Sequence, residues 1–264
     1  LLSRLGRVED AIHHCREVLK LRPDDVTAHV GLGSMLLTKG ELDEALMHLQ
    51  RSVQLKPDVF ESRIALGKAH VTTNKWEQAI EQFQKATEID PDSADARYQL
   101  ALVLQRRGRL HDSVSSYEQA LRLGPDSSKI HYSFGTALLE LGKVNNSIQQ
   151  FREAHRLDPK SLTVLNGLAW LLATTDRSDE NDTTLALNLA QQAAQKTNFS
   201  HPQVLDTLAA AYAASGDFDK AVSIAEKAIA LAGKENAREL VDEILARLNK
   251  YRRGEPHRES VPTH

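Results

Sequence analysis

Five prolines set the terms for this chain: Pro23, Pro57, Pro91, Pro125 and Pro159 stand 34 residues apart, and four of the five are followed by aspartate. A fixed period of that length marks an array of like units, each too small to bury its own apolar face, so neighbours must stack. Other positions keep the same register. Small residues recur at Ala11, Ala45, Ala79, Ser113 and Ser147, and a second small set at Gly33, Gly67, Ala101, Gly135, Ala169 and Ala209. Gly or Asn recurs at Gly6, Gly40, Asn74, Gly108 and Gly142. Small residues let two helices approach closely, Gly or Asn accepts the left-handed turn that ends a helix, and Pro follows a stop. Each unit therefore reads as two antiparallel helices joined by a tight turn.

The stretches "VTAHVGLGSMLLTKGELDEALMHLQRSVQLKP" (26–57) and "FESRIALGKAHVTTNKWEQAIEQFQKATEIDP" (60–91) carry these positions almost residue by residue. On them the chain resembles the tetratricopeptide repeat family over about residues 1–232. The resemblance implies an all-α fold, a right-handed α-solenoid of 34-residue helix-turn-helix repeats. One partial and six full repeats with a closing helix are expected in 1–251, and an extended or disordered tail in 252–264. "LLSRLG" reads as the end of a first helix, so the chain is expected to be a piece of something longer. The closing helix is expected from about Glu235 to Tyr251, with Leu240, Val241, Ile244, Leu245 and Leu248 on one side at helical spacing. Such a helix covers the last repeat, as solenoid ends require.

One segment departs from the rhythm. In "NGLAWLLATTDRSDENDTTLALNLAQQA" (166–193) the first helix keeps register, but Ser147 to Ala186 is 39 residues, five more than the period. Asp176, Asp179, Glu180, Asn181 and Asp182 fill the enlarged turn, with a helix expected to start near Thr184. Asp176, Ser178, Glu180 and Asp182 alternate as calcium ligands do. Asn181 and Leu187 occupy the places where such a loop needs glycine and glutamate, so the loop does not fit a calcium site.

Composition and motifs narrow the function. Net charge is −3, with 33 basic and 36 acidic residues that form no long runs, which argues against a nucleic-acid partner. No apolar run is long enough for a bilayer and no signal peptide is seen, so direct membrane insertion is not expected. Localisation stays open between the cytoplasm and the soluble face of a membrane-anchored parent. "GLGSML" and "GTALLELGKV" fail the spacing and context of nucleotide loops, and no metal or nucleophile motif occurs. The expectation is therefore no enzyme, no cofactor and no metal. His13, His14 and Cys15 diverge around a helix and cannot converge on one ion. Cys15 reads as a packed core thiol, and His70 as a histidine at the edge of the core with a hydrogen-bonded neighbour. Asn145, Asn181 and Asn198 form sequons, read as chance matches in polar loops.

In the resembling family the first helices of successive units line a concave groove. Carried onto this sequence, the groove residues are Ile64, Lys68, Tyr98, Leu102, Arg106, Lys129, Tyr132, Thr136, Leu139, Asn166 and Trp170. Tyrosine, tryptophan and leucine there make good anchors for a peptide or partner helix. No three consecutive units supply the family's carboxylate clamp. The asparagine ladder of O-linked N-acetylglucosamine transferases is also missing, since its position reads Gly31, Ala65, Gln99, Ser133, Gly167 and Thr207. A narrower resemblance joins "NGLAWLLAT", the acidic insertion, "VLDTLAAAYAASGDFDKAV" and "LNKYRRGEPHRE" to the C-terminal segment of large planctomycete-type repeat proteins. It implies an alternative: the regulatory or substrate-recruiting portion of a larger glycosyltransferase. The leading expectation is a non-catalytic scaffold that binds a protein or peptide ligand, with self-association as a further mode.

Overall fold

The computed structural model describes residues 7–176 and 180–259. The opening "LLSRLG" with Gly6, Ser178, Asp179 and the tail beyond Glu259, which carry expectations above, lie outside them. Among the described residues fourteen helices follow one another and no strand occurs. The architecture is an all-α helical-repeat solenoid, and its contacts fall into two compact units, Leu1–Pro125 and Asp126–His264.

In the first unit α1 (Val8–Leu21) precedes three helical hairpins: α2 (Val26–Lys39) with α3 (Leu42–Leu55), α4 (Phe60–Thr72) with α5 (Trp76–Ile89), and α6 (Ala94–Arg106) with α7 (Leu110–Leu123). The starts and stops have local causes. Asp25 and Ser93 accept hydrogen bonds from the backbone N–H of Ala28 (2.9 Å) and Ala96 (3.2 Å), filling donors that a helix start leaves open. At the hairpin turn the Glu41 N–H bonds to the Leu36 carbonyl (3.0 Å) and the Gly40 N–H to that of Leu37 (3.1 Å). Asn74 builds the same turn at φ +56°, with Lys75 N–H on the His70 carbonyl at 2.8 Å.

The small positions of the period mark close approach. A Cβ added to Gly67 would lie 2.5 Å from the Phe83 ring, and one on Gly33 would lie 2.6 Å from Leu49. Where serine replaces alanine on the second helix, its hydroxyl is absorbed locally: Ser113 donates to the Ala101 carbonyl (2.8 Å), and in the second unit Ser147 donates to that of Gly135 (2.7 Å). A buried polar column accompanies them. Arg63 donates to the Pro57 carbonyl (2.8 Å) and to Gln82 (2.7 Å), and His29 bonds the Pro23 carbonyl and His48, both at 2.9 Å. Because a carbonyl only accepts, the His29 Nε2 facing Pro23 carries a proton. Cys15 is partly buried, packs beside Gly31, and its thiol is pushed up by that burial. His70 is buried, and its Nδ1 has no hydrogen-bond partner.

The second unit comprises α8 (Ser128–Glu140) with α9 (Val144–Leu157), α10 (Leu162–Thr174) with α11 (Glu180–Lys196), α12 (Pro202–Ala214) with α13 (Phe218–Lys234), and α14 (Arg238–Tyr251). Its core draws Leu165, Leu168 and Leu172 from α10, Leu189 from α11, Leu205 and Leu208 from α12, and Ile244, Leu248 and Tyr251 from α14. The expected loop is shorter than the acidic run, because α11 begins at Glu180, and Asp182 in its first turn pairs with Arg152 of α9. Acidic residues in a first turn suit the helix dipole.

Of the two alternatives for the tail, extended or disordered, residues 255–259 take a non-helical course along the protein. Gly254, at φ +71°, ends α14 with the Glu255 N–H on the Lys250 carbonyl at 3.1 Å. Pro256 then prevents further helix, and the chain runs in non-helical conformation to the end of α10, where Glu259 N–H bonds the Thr174 carbonyl at 3.0 Å. "RRGEP" is a helix stop.

Candidate peptide-binding face

In the first unit the groove residues separate into core and surface. Ile64 and Tyr98 are only 8% and 5% exposed, with the Tyr98 ring 6.1 Å from that of Tyr117, so they pack the interior and correct the expectation of two surface anchors. Lys68, Leu102 and Arg106 reach the surface. Lys68 lies 3.8 Å from Asp95, and the Arg106 guanidinium sits 5.5 Å over the Trp76 ring.

In the second unit Lys129 is exposed and Thr136, Leu139, Asn166 and Trp170 are half-buried. Thr136 turns its hydroxyl to the Ser133 carbonyl at 2.7 Å. Tyr132 lies edge-on to Phe151 at 5.0 Å and over the space where Gly167 has no side chain, and burial raises its phenol above the ordinary value. Asn166 Oδ1 is buried without a hydrogen-bond partner, one turn before Trp170 on α10.

Trp170 is the centre of the densest arrangement. Its indole N–H donates to the Glu259 carboxylate (2.9 Å), its face meets the His257 ring at 5.9 Å, and the Arg247 guanidinium stands 5.2 Å from its centroid. Arg247 comes from α14 and is gripped by Asp206 of α12 through two hydrogen bonds of 3.1 and 2.7 Å. Both partners are nearly enclosed, at 11% and 6% side-chain exposure. Burial pushes the Asp206 carboxyl up, and Arg247 pulls it back. Two more contacts hold the tail: Arg258 donates to the Ala173 carbonyl at 2.7 Å and approaches Asp176 at 3.7 Å. Burial first, then Lys250, Arg247 and Arg258, push the His257 imidazole down to about 4. The segment 255–259 is thus a strap laid across Trp170 and the last carbonyls of α10.

Periodicity did not disclose this strap, but one signal was present. The repeat's turn residue, Gly142 in the preceding unit, is followed 34 residues later by Asp176, so α10 has no glycine or asparagine to close its own end. Its carbonyls had to find donors elsewhere. Asp206 and Arg247 left no such trace.

Among the described residues no group of three or more His, Cys, Asp or Glu is placed to hold a metal, and no helix is long and apolar enough to cross a membrane.

Two-helix repeats of near-constant length, stacked through small residues and presenting half-buried aromatic and charged side chains on their first helices, define a helical-repeat protein. Family models agree. One described as "Tetratricopeptide repeat" matches residues 1–59 and 98–161, a second so described matches 134–237, and one described as "TPR repeat" matches 71–108. The chain belongs to the tetratricopeptide repeat family. Solved structures similar to it include MamA, with 26% identity and a TM-score of 0.56 over 60% of this chain and 93% of that one. Pseudomonas aeruginosa pilF aligns with a TM-score of 0.69 and 20% identity over 84% of this chain and 96% of its own. YrrB, described as a TPR protein with an unusual peptide-binding site, aligns with a TM-score of 0.58 and 18% identity over 72% of this chain and 95% of its own. No curated protein matches the sequence.

Proposed function

We propose that this chain is a non-catalytic protein-interaction scaffold that binds a peptide or partner helix on the faces formed by its first helices. One observation carries the reading: the second unit already holds a non-helical stretch of polypeptide, residues 255–259, against the Trp170 face by hydrogen bonds and ring contact. A surface that seats five residues of its own chain has the chemistry to seat a peptide from elsewhere. The family supplies the frame, and the same fold carries a peptide-binding site in YrrB. In the first unit Lys68, Leu102 and Arg106 offer an apolar side chain between two cations, suited to a segment with a hydrophobic residue flanked by acidic ones. A recruiting role within a larger glycosyltransferase would use the same faces.

Selection from a random-peptide display library on the whole chain, followed by calorimetry on the selected peptides, tests the proposal. Reversing two exposed charges, Lys68→Glu with Arg106→Glu, is expected to weaken acidic selected peptides at least roughly tenfold, about 1.4 kcal/mol, with helical circular dichroism unchanged. No enrichment of any peptide, or equal affinity for both proteins and for a Trp170→Ala variant, would overturn it. Measurable affinity for a nucleotide or sugar nucleotide would overturn the non-catalytic part.

A further inference from the structure

We propose that the Trp170 face is a receptor site for an extended peptide in which arginine is followed by an acidic residue, and that the strap occupies this site in cis. The inference rests on the scaffold reading and specifies the ligand of one of its faces. The requirements come from the receptor atoms. The Ala173 and Thr174 carbonyls end α10 without a local turn and need donors, while the indole N–H of Trp170 needs an acceptor. In the strap two consecutive residues meet all three needs. Arg258 donates its guanidinium to Ala173 (2.7 Å), the Glu259 backbone N–H bonds Thr174 (3.0 Å), and the Glu259 carboxylate accepts from Trp170 (2.9 Å). A guanidinium, a backbone N–H and a carboxylate in that order is an Arg-Glu or Arg-Asp dipeptide in a non-helical backbone.

Two features separate a receptor site from a helix cap. First, capping α10 calls only for donors, whereas the Trp170–Glu259 bond lies outside that need and adds selectivity for an acidic residue. The indole is also presented rigidly, because Arg247 stands over it and is itself fixed by Asp206. Second, the strap is only half-buried, so solvent and a competing segment can reach it. Pro256, His257, Arg258 and Glu259 all remain partly exposed, and Glu255 is exposed. Being tethered a few residues beyond α14 raises the strap's local concentration to about the millimolar range. A partner segment with the same dipeptide and additional contacts on the repeats can displace it.

The experiment uses a fluorescein-labelled peptide of residues 252–264 as the probe, a control peptide with the Arg-Glu order reversed, and the full-length chain. In Arg258→Ala/Glu259→Ala the strap is disarmed while the receptor atoms are untouched. The probe is expected to bind this variant at least roughly tenfold more tightly than wild type by anisotropy, and the reversed peptide at least roughly tenfold less tightly than the probe. Glu259→Arg, which sets a cation against the indole N–H, is a second route to an empty site. In ¹⁵N spectra the Trp170 indole signal should move in both variants and return on adding probe, while the Trp76 signal stays and reports an intact fold. An unmoved Trp170 signal, equal affinity for wild type and variants, or equal binding of the reversed peptide overturns the proposal. Peptides that bind through Lys68 and Arg106 while the Trp170 signal stays still would remove this inference and leave the scaffold standing; absence of all peptide binding would remove both.

Discussion

α8 and α10 are first helices of consecutive repeats in one unit, each of 13 residues, yet they end in different ways. α8 closes itself: the Gly142 N–H bonds the Leu139 carbonyl at 2.9 Å and the Lys143 N–H bonds that of Leu138 at 2.8 Å. α10 passes into an extended Thr175, and the carbonyls of Ala173 and Thr174 are taken by Arg258 and Glu259, some 85 residues along the chain. The backbone demand at the two ends is the same. One is met by residues within three positions of the helix end, and the other by a segment that must first cross α11 to α14. A helix end closed at long range depends on the fold around it, and whatever can compete for the closing segment can reopen it.

Perturbations should therefore spare α8 and reach α10, in a graded series. Ile244 is fully buried where α14 packs, and Ile244→Asp puts a charge into that core, so a loss of about 4 kcal/mol or more is expected. Amide exchange should rise first in α12 to α14 and at the end of α10, with α8 affected least. Uniform loss across the chain would break the comparison.

Arg247→Ala comes next, because it leaves Asp206 buried without its partner, at a cost of about 3 kcal/mol near neutral pH. Burial holds the Asp206 carboxyl above its ordinary value, and removing Arg247 takes away the partner that pulls it back down. A raised carboxyl contributes its stability at low pH and loses it as pH rises through the folded value. The Arg247→Ala deficit in chemical denaturation should accordingly shrink as pH is lowered; a pH-independent deficit would mean that packing, not charge, is what Arg247 supplies.

Ending the chain at Gly254 should cost about 1–2 kcal/mol, the net worth of two or three hydrogen bonds, and the loss should appear at the end of α10 and not of α8. Acid should mimic the cut. His257 is held neutral in the docked strap, its value lowered from 6.5 to about 4 by burial and by Lys250, Arg247 and Arg258. A depressed histidine contributes stability above its unfolded value and loses it as pH falls towards the folded one. Trp170 fluorescence should therefore change between about pH 6.5 and 4 in the intact chain, and not in one ending at Gly254.

The smallest effect concerns a self-closed end. Asn74 holds φ +56°, so Asn74→Gly is expected to be neutral or stabilising by about 0.5 kcal/mol and Asn74→Ala destabilising by about 1 kcal/mol in thermal melts.

The sequence disclosed features whose cause is local or repeats with the period. Asp25 and Ser93 announce helix starts, Gly40 and Asn74 announce stops, and Gly33 and Gly67 lie where Leu49 and Phe83 leave no room for a side chain. The candidate faces were legible only in part. Family positions pick out the inward side of a first helix, but how deeply a residue sinks depends on its neighbours, which is why Tyr98 lies inside while Leu102, one turn later, reaches the surface. Trp170 was found by its position, but its partners were not, because Glu259 lies 89 residues away and no period links them. The tail's two prolines and scarcity of apolar residues suggested an extended or disordered segment. What orders it is hydrogen bonding to carbonyls that α10 leaves open, a demand visible only as a missing glycine at position 176.

Hydrogen exchange at a single amide tests the account most directly. The Glu259 N–H is the donor that closes α10, and it can be protected only while the strap lies on the Trp170 face. Measured by NMR at neutral pH, this amide is predicted to exchange at least roughly tenfold more slowly than its sequence alone dictates, and to lose that protection at pH 4.5. Exchange at the unprotected rate at neutral pH, with α10 otherwise intact, would contradict the account.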